Sequence, residues 1–232
     1  MEFSLFELLS IRYEGEEDQK YIRGLLNQFE QASNSDSYHL ALFAYHLIFM
    51  IFIYQTIYKA KIWKPQQFAT ALITLSADER RRYLQTKSVY AFVEIKERSI
   101  FELLNLFEAC EPVVSRCKKN IIDYRNRNLG HANMYIVSEN EFENKIDEYN
   151  QIALEIHKLT HENILDAFED YFKLIDYTLE QTADDFEINL IVPNRMSLID
   201  LGILAENCLA SDLLKKKEIL KILQDDFSIC IQ

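Results

Sequence analysis

The chain has 232 residues, 49% of them hydrophobic, enough to bury the core of one sizeable domain with a small addition and too many for a disordered protein. Four glycines and three prolines are too few for the tight turns of a sandwich or barrel, so an all-α class is expected. A formal net charge of -12 argues against nonspecific coating of nucleic acid, which draws on clustered Lys and Arg.

The opening Met1-Glu2-Phe3-Ser4 lacks the basic flank and small-residue cleavage site of a secretory signal, so a cytoplasmic location is expected. A first helix is expected over about residues 17 to 31, where Tyr21, Leu25, Leu26 and Phe29 recur at helical spacing. Asn34, Ser35, Asp36 and Ser37 then read as a loop and cap. The second helix, about residues 37 to 61, is apolar nearly all round through Leu42, Phe43, Leu47, Phe49 and Phe52, as in the middle of a bundle. Its most apolar stretch, residues 40 to 53, is shorter than the roughly 20 residues that span a bilayer, so a core helix is expected and no membrane.

Pro65 suits the first turn of a third helix, where its missing amide proton costs nothing. Ser76 with Glu79 three residues on has the spacing of a capping box. The run Arg80-Arg81-Arg82 that follows reads first as a solvated face and second as a contact surface for phosphates or an acidic partner. Residues 88 to 95 fit helix or strand. Helical spacing returns from 99 to 107, and Glu111-Pro112 can open a helix carrying Val113, Val114, Cys117, Ile121, Ile122 and Tyr124 to a stop near Gly130.

A long acidic helix or helix pair is expected over residues 139 to 180, with Phe142, Ile146, Tyr149, Ile152, Ile156 and Leu159 as its buried stripe. Past Asp184 the pattern changes: 186 to 192 looks extended, 197 to 207 and 211 to 223 look helical, and Phe227, Ile229 and Ile231 alternate as a strand would. The expected organisation is a helical bundle over 1 to 183 with a small mixed α/β appendage over 184 to 232.

Cys110, Cys117, Cys208 and Cys230 have no zinc-like spacing and read as reduced packing residues. His39 and His46 read as core or cap histidines that have found hydrogen bonds. His157 and His161 are four apart, but among Glu155, Glu162 and Asp166 a solvated face is favoured over a metal site. No glycine-rich nucleotide loop is present, and no cofactor or metal is expected.

Charge is unevenly spread. Residues 111 to 135 hold five basic and two acidic side chains, whereas 136 to 190 hold three and fifteen. The basic stretch contains Arg125-Asn126-Arg127-Asn128-Leu129-Gly130-His131. It resembles the signature of the HEPN superfamily: an Arg, a polar residue directly after it, and a His a short distance on, here with five residues between Arg125 and His131.

The resemblance implies a compact bundle with the signature between its last two core helices, and a metal-independent endoribonuclease of the toxin or antiviral-defence kind. It also implies a homodimer that unites two signatures in one cleft, acting on RNA, with an antitoxin or defence-complex partner. The alternative it leaves open is a catalytically inactive module that docks a partner protein or RNA.

The chemistry of these residue types is consistent with that. An imidazole titrates near neutrality, which suits His131 to moving a proton to or from the 2′-hydroxyl or the leaving oxygen. A guanidinium can hold two oxygens of a charged phosphorane, the role assigned to Arg125, with Asn126 orienting. Arg127, Asn128, Lys118 and Lys119 are candidate RNA contacts. On a continuous α-helix Arg125 and His131 would lie about 120° apart, so either the helix breaks at Gly130 or Arg127, four before His131, is the partner. A helix-ending Arg-Asn-x-Asn-x-Gly-His is also an ordinary C-cap.

Overall fold

The computed structural model describes residues 4–10, 15–107, 111–129, 136–175, 182–211 and 214–227. Within them the chain is helical and holds no strand. It divides into two compact units. One holds Ser4, Leu5 and the described residues from Gly15 through Leu159. The other holds Phe6 to Ser10 and the described residues from Thr160 onward. The division falls at Leu159, ahead of the expected boundary at 183, because the acidic stretch is two helices that belong to different units.

The first unit is built around one helix. Helices α1 (Glu16–Asn34) and α2 (Tyr38–Trp63) meet through a tight turn in which Asp36 takes a left-handed φ of 56°. Over residues 41 to 60 α2 is buried on nearly every side, as its all-round apolar sequence requires. It is long and apolar enough to cross a membrane, yet 83% of its apolar window lies inside the fold. Helix α3 (Pro65–Ala71) opens on Pro65, and α4 (Ala77–Gln85) on a complete capping box between Ser76 and Glu79. Residues Val89–Glu94, where helix and strand were equally readable, form a 3-10 helix. Helix α5 (Glu97–Glu102) continues as a 3-10 turn, Leu103–Leu106.

The stretch that carries the signature is wound unusually. Helix α6 (Glu111–Arg116) passes into a π-helix, Cys117–Ile122, and after Asp123 and Tyr124 into a second, Arg125–Leu129. A π-turn closes hydrogen bonds five residues apart and is frequent at functional sites. Tyr124 and Leu129, five apart, join one apolar cluster with Ala41 and Leu42 of α2 and with Phe142 of α7 (Glu139–Lys158). Helices α1, α5 and α7 and the second π-turn all pack on α2.

The second unit contains α8 (His161–Leu174), α9 (Ala183–Phe186), a π-turn (Glu187–Ile191), α10 (Val192–Asn194), α11 (Leu198–Leu209) and α12 (Leu214–Asp225). The expected extended segment at 186 to 192 is therefore helical. Thr182 and Asp185 form a capping box that starts it, and Phe186 and Leu190, four apart, are buried while Ile188 is 66% exposed. The mixed α/β appendage is corrected to helix over these residues, and Ile229 and Ile231 of the other expected strand lie outside the described residues. Cys117 and Cys208 are buried, as packing residues are, while Cys110 and Cys230 lie outside the described residues.

Candidate active site around Arg125

Arg125 stands at the first position of the second π-turn, its side chain about three-quarters buried. Its Nη2 donates to Oε1 of Glu97, in the first turn of α5. The same oxygen lies 3.5 Å from Nε2 of His46, whose Nδ1 is 3.0 Å from the hydroxyl of Tyr149 on α7. His46 and Tyr149 are 1% and 0% exposed. Four elements that are distant in sequence thus converge in one chain of polar groups: Tyr149, His46, Glu97, Arg125. A protonated His46 donates to both neighbours. A neutral ring with its hydrogen on Nε2 keeps Glu97 and accepts from Tyr149.

The electrostatics follow from burial and pairing. Burial pushes the Tyr149 phenol well above its ordinary pKa, so it stays protonated. Burial also works against the charge on Glu97, but hydrogen bonding and charge from His46, then from Arg125, outweigh it and hold its pKa below the usual carboxylate value. Oε2 of Glu97 is buried with no hydrogen-bond donor among the described residues, a cost the shared Oε1 must offset.

A depressed carboxyl pKa ties stability to pH with a definite sign. Glu97 contributes fully above its unfolded pKa, near 4.3, and the contribution is lost as pH falls through the lower folded value. Urea midpoints measured at pH 7 and at about pH 3.5 are expected to fall more steeply for the wild type than for Glu97→Gln; equal slopes would remove Glu97 from the acid response.

Arg125 and Asn126 line an open cavity of about 540 Å³ together with Tyr21, Tyr54, Tyr90 and Glu97. Tyr54 is raised to about 12 by burial and by the Glu97 charge, so its hydroxyl remains a donor. Arg127 is exposed and Asn128 half-buried, and neither lines this cavity. Lys118 pairs with Glu102 and Lys119 is exposed. Arg116 pairs with Glu155, so acids meet much of the basic stretch. Tyr124 is pinned too, donating to Glu141 at 2.8 Å beneath the Lys145 ammonium, 4.3 Å from its ring centre. Gly130 and His131 lie outside the described residues. The α-helical angle between Arg125 and His131 does not apply to a chain wound as a π-turn through Leu129.

Other candidates resolve simply. Arg82 pairs with Glu94 and Arg81 lies 4.0 Å from Asp78, both arginines exposed, which is the solvated face expected for the triple Arg. His157 is 3% exposed, which corrects its reading as part of a solvated face: it sits one position from the buried Ile156. No group of three or more metal-binding side chains occurs among the described residues.

The sequence marks His46 as a core histidine with a partner but does not single out Glu97. A lone Glu in a charged stretch gives no signal of its own.

Compared with known proteins, the chain matches no family model, no curated protein and no solved structure.

Proposed function

We propose that the protein is a metal-independent endoribonuclease of the HEPN type, a toxin or defence effector that acts as a homodimer. The observation that carries this reading is the fixed guanidinium of Arg125, held at the wall of an open cavity by a Glu97 that His46 and Tyr149 hold in turn. A cation positioned before the substrate arrives stabilises developing negative charge without having to reorganise. Arg125 has further N–H donors beyond the one given to Glu97, and these are available to the phosphorane oxygens. Asn126 on the same cavity wall positions the phosphate. His131, six residues on, moves the proton.

One imidazole serves one side of an acid–base pair. A two-fold dimer that brings two signatures together supplies the second and makes a locally positive groove on an acidic particle. Incubated with RNA and a chelator, the purified protein is expected to produce fragments ending in 2′,3′-cyclic phosphate. The same cutting by His131→Ala would remove the mechanism.

A second reading, a catalytically silent docking module for RNA or a partner protein, draws on the pairing of Arg125 with Glu97, Lys118 with Glu102 and Arg116 with Glu155. Those acids compete with phosphate for the same cations. This reading takes over if no RNA is cut under any condition and the partner binds Arg125→Ala as well as it binds the wild type.

A further inference from the structure

We propose that the cavity beside Arg125 is the subsite for one unpaired base of a single-stranded RNA, with Tyr21 as its stacking platform. The proposal rests on the RNA-cleaving reading and adds what part of the substrate the cavity takes. Tyr21 and Tyr90 both line it, their ring centres 5.8 Å apart and their planes at 79°. Two rings so placed form a corner: a flat heterocycle can lie on one ring's face while its rim meets the other's. Tyr21 is 49% exposed, large for an aromatic side chain, and Val93 at the same cavity is 61% exposed.

The size of the cavity, about 540 Å³, falls within the range of roughly 300 to 1,000 Å³ typical of small-molecule and cofactor sites. Its polar lining holds the Arg125 guanidinium, the Asn126 amide and the Tyr54 hydroxyl as donors, beside the carboxylates of Glu94 and Glu97, which pair with Arg82 and Arg125. Nucleotides are rich in acceptors, at phosphate oxygens, base carbonyls and ring nitrogens. Tyr21 and Arg125 line the same cavity, so stacking and clamping can act on one nucleotide. Bases in a duplex are already stacked on each other, which makes the unpaired strand the form that fits.

The test uses a short labelled single-stranded RNA, a chelator, fixed salt, and the full chain carrying His131→Ala so that the RNA stays intact. Adding Tyr21→Ala is expected to weaken binding roughly 5- to 100-fold, and Tyr21→Phe to restore most of it, since the ring rather than the hydroxyl does the stacking. RNA with abasic sites, unchanged in charge, should bind the Tyr21-containing protein as weakly as intact RNA binds Tyr21→Ala. Val93→Trp, at an exposed position on the cavity, should weaken binding similarly by filling it, and serves if Tyr21→Ala does not fold by thermal melting.

Equal affinity of abasic and intact RNA overturns the subsite, as does Tyr21→Ala binding like its parent. So does tight capture of a free mononucleotide with no affinity for the strand. Base-dependent binding without any cutting by the wild type would remove the nuclease reading and leave the subsite standing; cutting without base dependence would do the reverse.

Discussion

Arg125→Ala is expected to lower RNA cleavage by roughly 100- to 1,000-fold, the usual cost of removing one preorganised group that stabilises transition-state charge. Two effects have to be separated, because the same guanidinium is also the partner of Glu97. The Arg125 and Glu97 side chains remain 26% and 23% exposed, so the ion pair is neither fully buried nor a free surface pair. Loss of stability on the order of 1 to 2 kcal/mol is expected, between the weak surface case and the strong buried one. In a protein of ordinary stability that leaves almost all molecules folded at 25 °C, and so explains almost none of a 100-fold loss of rate.

Arg125→Lys sharpens the distinction. It keeps the charge next to Glu97 but gives up the planar fork that holds two oxygens, so stability should recover while cleavage stays low. Cleavage and urea midpoints measured on the same preparations decide this. A rate loss that tracked the folded fraction would make Arg125 a structural residue.

Phe49→Ala is expected to destabilise the protein by about 3 to 5 kcal/mol, read as a fall in the urea midpoint at unchanged slope. Phe49 is fully buried in the middle of α2. Its ring lies 5.0 Å from that of Tyr149 and 6.3 Å from that of Phe101. Truncation therefore loses the transfer energy of the ring and leaves a cavity between α2, α5 and α7. The same void adjoins Tyr149, which holds His46 and through it Glu97. A shift of less than about 1 kcal/mol would mean that the surroundings collapse onto the gap, and that α2 is not the rigid centre the packing describes.

Much of the secondary structure could be read locally. The capping box at Ser76, the proline at the start of α3 and the helix opening at Glu111-Pro112 each depend on a few adjacent residues, and each stands where the sequence placed it. The all-round apolar run of α2 could belong only to a helix surrounded by others. Local pattern failed at residues 186 to 192. There the sequence looks extended, while the cap at Thr182 and burial of Phe186 with Leu190 make a helix.

Composition, periodicity and capping by themselves determined that this is an α-protein, where most of its helices begin, and that Arg125 and Asn126 sit on a locally basic stretch of an acidic chain. Only the tertiary structure decided that Glu97 meets Arg125, that His46 and Tyr149 stand behind it, and that three tyrosines border the same cavity. Backbone preferences act over a few neighbouring residues. The pairing of residues 46, 97, 125 and 149 depends on how helices pack across α2, which no short window of sequence contains.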